Sequence, residues 1–147
     1  MDTMNLSEMP CPVGRGIACV GDAWSLLILR DASLGVTRFD QFRKNLGIAP
    51  TILTRRLATL TEQGLLEKRR YSERPPRDEY VLTDAGRDFI PVLAMIGAWG
   101  QKHRGEGMTR YIDEETGQEV EPVAIDAVTG ARIGSRPFRV EAPDRVE

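Results

Sequence analysis

"TRFDQFRKNLGIAPTILTRRLATLTEQG", Thr37 to Gly64, decides the fold of this 147-residue chain. It holds two short helical patterns with a glycine between them. In the first, Phe39, Phe42 and Leu46 share one side of a helix, and Thr37 with Asp40 three residues on fits a capping box. Gly47 ends that helix. The second starts at Pro50, which suits the first helical position because its missing N–H would be unbonded there anyway. Leu53, Leu57 and Leu60 repeat at i, i+4 and i+7 and face a core, while Thr51, Thr54, Arg55, Ala58 and Glu62 fall mostly on the other side. Gly64 is the stop signal. Two short helices joined by a tight turn make a helix-turn-helix.

Downstream the period changes to two. "LLEKRRY" and "DEYVLT" are expected to be strands flanking "SERPPR", with Tyr80 and Leu82 pointing inward. Pro75 and Pro76 cannot donate to a ladder, so they belong at the tip of this hairpin. Thr83 then caps a single long helix, "DAGRDFIPVLAMIGAWGQKHR", with a kink expected at Pro91. Phe89, Leu93, Ile96 and Trp99 hold one face, yet Ile90, Val92 and Met95 make other faces apolar too. That is more apolar surface than one small domain can cover, which predicts burial against a second subunit. Upstream, Asp22 caps a core helix through "AWSLLILRDASLG" that stops at Gly35. Before it, Val13, Ile17 and Val20 have helical spacing, weakened by Gly14 and Gly16 at roughly 1 kcal/mol each relative to alanine. The expected fold is mainly α with a small β wing (α+β): a dimeric winged helix-turn-helix over residues 1–104, followed by a small β-rich, hairpin-like extension over 105–147.

The net charge is -2, but its distribution is uneven. From Arg38 to Arg77 there are ten basic residues against four acidic ones, a local charge of +6, which leaves -8 for the rest. A basic segment inside an acidic chain is a local electrostatic footprint, and the local field is what a phosphate backbone feels. No run of 18 apolar residues exists to span a bilayer, and the N-terminus lacks the pattern of a signal peptide. A cytoplasmic protein with no membrane partner is expected. Two cysteines, Cys11 and Cys19, do not make a disulfide framework. There is no nucleophile elbow, phosphate loop or metal-ligand cluster, and the one histidine, His103, ends the last helix, where a cation suits the dipole. Neither an enzyme nor a cofactor-binding protein is expected.

A helix fits the major groove of B-DNA with the residues of its N-terminal half against base edges. The helix from Pro50 offers Thr51, Thr54 and Arg55 there, and Arg55 can take guanine O6 and N7 together. Arg74 and Arg77 on the hairpin can lie along or in the minor groove. Arg38 is placed for a phosphate at the start of the preceding helix, whose amides would help. There are other uses for these cations. Arg56 can be merely solvated, Lys68 and Arg69 can guard an outer strand face, and some winged helices bind protein rather than DNA. Duplex binding would separate itself from that last alternative by weakening steeply with salt.

From Cys11 to about Gly100 the sequence closely resembles the HxlR-type winged helix-turn-helix transcriptional regulators, relatives of the MarR group. The features that carry the resemblance are Cys11-Pro12, "GDAWSLLILR", "RFDQFRKNLGIAPTILTRRLATLTEQGLLE", the wing "RPPRDEYVLTDAG" and the terminal "WG". The resemblance implies a homodimer built from the first and last helices, and a roughly palindromic double-stranded DNA operator with half-sites about one helical turn apart. It also implies autoregulation or control of a neighbouring gene, often in response to reactive small molecules, and the expected function is a homodimeric repressor answering such an effector or a redox signal. Ala49 departs from the pattern, because such sequences often place a serine N-cap there; the lost bond is worth roughly 1 kcal/mol. In several members the cysteine before proline, here Cys11, is the sensor. Cys11 precedes a helix N-terminus and lies four residues before Arg15, both of which favour a thiolate; the alternative is a small packing residue at the dimer seam. Beyond Gly105, Asp-x-x-Thr-Gly occurs twice, at Asp113–Gly117 and Asp126–Gly130. This looks like a zinc ribbon whose ligand places carry Asp113, Thr116, Asp126 and Thr129, a poor set for zinc. A metal-free module with a small core of Ile112, Val120, Val123, Ile125 and Ile133 is expected, the alternative being two unrelated Asx turns.

Overall fold

A computed structural model describes residues 5–144. By compactness the chain divides into two units between Ile90 and Pro91.

The first unit is a helical bundle with a hairpin. Its elements are α1 (Pro12–Val20), α2 (Ala23–Ser33), α3 (Phe39–Leu46), α4 (Pro50–Glu62), β1 (Leu66–Glu73), β2 (Pro76–Leu82) and the short α5 (Asp84–Arg87). The period-3.6 apolar residues form its core: Ile28, Leu29, Phe42, Leu53, Leu57, Leu60 and Leu66 are almost wholly excluded from water. At about 1.5–3 kcal/mol for each fully buried side chain, these few residues supply most of what holds the bundle. α2 is the central helix and packs against α3, α4 and β2. Its N-cap is Asp22, whose carboxylate accepts the amide of Ser25 at 2.9 Å and the hydroxyl at 2.6 Å.

The turn between α3 and α4 depends on Gly47, which sits at φ +62° and ψ +24°, a left-handed conformation that costs a residue with a side chain. The N-cap of α3 differs from expectation. It is Arg38, with no side-chain cap bond, and not Thr37. Thr37 instead uses its carbonyl to accept the amide of Tyr80 on β2 at 2.7 Å, which ties the start of α3 to the hairpin. α4 likewise has no side-chain cap at Ala49.

β1 and β2 pair antiparallel from Leu66↔Leu82 to Glu73↔Pro76, leaving Arg74 and Pro75 at the tip. The ladder is interrupted between Arg70↔Asp78 and Ser72↔Arg77, so Tyr71 is one residue too many on β1. Thr83 closes the unit. Its hydroxyl donates to the carbonyl of Gly64 and accepts the amide of Gly86. Gly86 is buried so tightly that a Cβ there would collide with the Leu65 carbonyl and with Leu82.

The expected single long helix after Thr83 is two helices. α5 ends at Arg87, and α6 runs Ile90–His103. Proline has no N–H and its ring clashes with the carbonyl four residues back, so the chain breaks and restarts with Pro91 in the first turn of α6.

In the second unit, α6 is followed by an extension packed on it: the Tyr111 ring lies over Gly97, and Gln101 donates to the Thr109 carbonyl at 3.0 Å. The two Asp-x-x-Thr-Gly segments are one structure repeated thirteen residues apart. Gly117 and Gly130 donate back to the carbonyls of Asp113 and Asp126, and the bridges Ile112↔Glu119 and Ile125↔Arg132 close each loop. The Asp113 carboxylate accepts the amides of Glu115 and Thr116, and Asp126 accepts the amide of Val128 and the hydroxyl of Thr129. The expected apolar core is not formed: Ile112, Val120, Val123, Ile125 and Ile133 are 42 to 57% exposed. Loops this short are held by their backbone and Asx bonds, with too few residues to enclose a side chain. Among the described residues no single helix is long and apolar enough to cross a membrane.

Candidate nucleic-acid interface

The basic residues of the first unit fall into two groups. Lys68 and Arg70 both reach Asp78, at 3.7 and 3.2 Å; Arg70 also meets Glu73, and Arg69 meets Glu67 at 3.2 Å. Pairs this exposed contribute about 0–1 kcal/mol each, but they neutralise three of the five cations of the wing. Arg56 turns back from α4 to Asp22 at the start of α2, 3.5 Å away, with its Nε buried. Burial pushes the Asp22 carboxyl up, but the bonds from Ser25 and the Arg56 guanidinium outweigh it and hold the group below its ordinary 3.8. Arg56 is therefore engaged with Asp22 within the fold and is not simply solvated.

The second group is unpaired. Among the described residues Arg38, Arg43, Lys44, Arg55, Arg74 and Arg77 have no carboxylate within 4.0 Å. All six are exposed. On α4, Pro50, Thr51, Thr54 and Arg55 lie exposed in the first turns, opposite the buried Leu53 and Leu57. The Thr54 hydroxyl donates to the Pro50 carbonyl at 2.9 Å, which leaves it its oxygen lone pairs and methyl for a partner. Arg43, Lys44 and Asp40 line a groove with Gly47 and Ile48 at the turn. Arg38 and Arg77 flank a second groove, between the start of α3 and the wing, together with Tyr71, Asp40 and Asp78. Arg74 stands at the hairpin tip.

Sequence inspection misses Tyr71. The Arg38 guanidinium carbon lies 4.4 Å from the centroid of its ring. A tyrosine in an alternating strand gives no sign of this; its displacement depends on the bulge, and no local pattern announces one. The role of Asp78 in neutralising Lys68 and Arg70 is equally hidden, because it depends on the strand register.

Cys11 is the N-cap of α1 and its sulfur accepts the amide of Gly14 at 3.4 Å. Arg15 is turned elsewhere, donating from Nε to the Met9 carbonyl at 2.6 Å. Cys19 donates to the Gln63 side chain at 3.5 Å, and both cysteines are free thiols. On α1, Val13 and Ile17 are 68% and 47% exposed; on α6, Ile96 and Trp99 are 50% and 55% exposed.

Residues 19–108 match the family described as HxlR-like helix-turn-helix. An uncharacterized HTH-type transcriptional regulator of Mycobacterium tuberculosis, Rv3095, is 41% identical over 127 residues, which cover 84% of this chain and 80% of the relative. Among solved structures, PA1607, provisionally described as a transcription factor, matches with a TM-score of 0.84 at 37% identity, over 92% of this chain and 96% of its own. The redox regulator HypR, in its oxidized form, matches with a TM-score of 0.60 at 30% identity, over 65% of this chain and 100% of its own.

Proposed function

This chain belongs to the HxlR-like helix-turn-helix family, and we propose that it acts there as a homodimeric repressor that reads a pseudo-palindromic DNA operator. It is a transcriptional regulator and not an enzyme. One observation carries the finer reading: the unpaired cations are those of the helix-turn-helix and the outer wing, while the remaining basic residues of that region are tied down within the unit. An unpaired, exposed arginine retains its full capacity for phosphate or guanine. In this reading α4 enters the major groove with Thr51, Thr54 and Arg55 toward base edges, starting from Pro50. Arg38, Arg74 and Arg77 hold the backbone on either side.

The second subunit is inferred from apolar surface. Val13 and Ile17 on α1, and Ile96 and Trp99 on α6, are large side chains left to solvent. Faces of this kind are usually interfaces. Residues 1–104 thus serve DNA binding and dimerisation, and 105–147 form an accessory module. A duplex partner puts the work of the protein in the cytoplasm. The effector is a thiol-reactive or oxidising small molecule acting at Cys11, in keeping with the likeness to HypR.

The test is a pair of variants. Arg55→Ala should lower affinity for the operator by about 1–3 kcal/mol more than for random duplex, since a bidentate base contact carries sequence information. Arg77→Ala should weaken all duplexes alike and reduce the slope of log affinity against log salt by about one. Equal losses for both duplexes with Arg55→Ala would remove α4 from the reading role.

A further inference from the structure

We propose that Tyr71 is a positioning residue for DNA binding: its ring holds the Arg38 guanidinium by one face, so that the edge donors stay free for a phosphate. The proposal rests on the duplex-binding reading above.

In the β1–β2 ladder, Tyr71 is the extra residue between Arg70↔Asp78 and Ser72↔Arg77. A bulge bends the strand and re-aims the side chain it displaces. Here the displaced ring, 37% exposed, meets the guanidinium of Arg38, with the carbon 4.4 Å from the centroid.

The surroundings explain why a ring matters there. Asp40 and Asp78 line the same groove, and Asp78 already engages Lys68 and Arg70. A free Arg38 side chain beside two carboxylates would fold onto one of them and lose the donors that a phosphate needs. Carboxylate pairing occupies the N–H edge of a guanidinium, whereas stacking on an aromatic face leaves that edge open. Arg38 has no carboxylate within 4.0 Å among the described residues and makes no side-chain cap bond. The residue before it is fixed as well, because the Tyr80 amide donates to the Thr37 carbonyl at 2.7 Å. β2 therefore holds the backbone at the start of α3 and β1 holds the side chain of Arg38. The wing and α3 present one preset phosphate contact.

The experiment measures duplex affinity against salt for the full chain and for Tyr71→Ala, Tyr71→Phe, Arg38→Ala and the double variant Tyr71→Ala with Arg38→Ala. Tyr71→Ala is expected to weaken operator and random duplex by the same factor, about two- to fivefold. It should also lower the salt slope toward that of Arg38→Ala. Tyr71→Phe keeps the ring and should bind like the unaltered protein. The double variant should lose no more than Arg38→Ala alone, because the ring acts only through that arginine. Should Tyr71→Ala disturb the hairpin, Tyr71→Leu supplies an apolar body without a π face and should show the same loss. Additive losses in the double variant, or a Phe variant as weak as the Ala variant, would overturn the proposal. If the unaltered protein binds duplex and Tyr71→Ala matches it in affinity and slope, the positioning role alone fails. If the unaltered protein binds no duplex at low salt, the DNA reading fails with it.

Discussion

Arg55 and Arg56 are neighbours on α4, and the rotation of about 100° between successive helical residues sends them to different surroundings. Arg55 stays exposed and unpaired, while Arg56 reaches Asp22 at the start of α2. The sequence could not separate the two, since the apolar stripe of Leu53, Leu57 and Leu60 sets the buried face but not what awaits a long side chain at its margin. Asp22 therefore has two jobs, capping α2 and receiving the Arg56 guanidinium. Asp22→Ala should destabilise the protein by about 1–2 kcal/mol in chemical denaturation. Arg55→Ala, with nothing to lose inside the fold, should leave stability within about 0.5 kcal/mol. A neutral Asp22→Ala would mean that neither the α2 cap nor the Arg56 ion pair contributes measurably to stability. Cys11 is likewise local: as N-cap of α1 its sulfur accepts the amide of Gly14 at 3.4 Å. Cys11→Ser keeps an N-cap acceptor, so it should fold and bind operator while losing release by thiol-reactive compounds. A serine variant that still responds would move the sensor elsewhere.

The elements that sequence periodicity foretells are those buried on one face. α2, α4 and the hairpin appear where the apolar spacing puts them, with Asp22 as the cap and Gly47 and Gly64 as the stops. Where burial is slight the pattern misleads. Apolar residues run on from Phe89 to Trp99 and disguise the break before Pro91, so they read as one helix where α5 and α6 stand. The Thr37 capping box fails because its carbonyl is claimed by the hairpin, a tertiary contact that no window of sequence contains. In the extension the repeated Asp-x-x-Thr-Gly is legible as an echo, but its apolar residues, spaced like a core, stay outside. What holds these loops is polar. Amides of Thr116 and Glu115 hold the Asp113 carboxyl below 3.8, and the amide of Val128 with the Thr129 hydroxyl does the same for Asp126. A depressed carboxylate stabilises the folded form fully above 3.8 and loses that contribution as pH falls below it through the folded value. In a pH titration followed by NMR, the amides of Glu115, Thr116 and Val128 should move together below pH 3.8, while core amides on α4 hold. Loop amides that stay fixed down to about pH 2 would show that the carboxylates are not what keep the turns.

At the scale of the whole molecule, an acidic chain binds an acidic polymer by segregation. The segment from Arg38 to Arg77 carries +6 in a chain of net charge -2, and ion pairs within the unit then decide which of those cations stay unpaired. The first step is legible from composition. The second is not, because strand register and helix phase assign the partners. Large apolar side chains are exposed on α1 and, separately, on α6, and the proposed dimer would cover them. In the proposed dimer two α4 helices would meet one duplex, so the spacing of the bases selected tests dimerisation and α4 reading together. The most direct test is selection of bound duplexes from a random library by the full chain, at two salt concentrations. Paired reading helices should enrich a motif with two inverted half-sites about 10 base pairs apart, centre to centre, and the yield should fall steeply at the higher salt. Recovery of sequences indistinguishable from the input library at both salts, or a single half-site with no inverted partner, would contradict a dimer that reads DNA through α4.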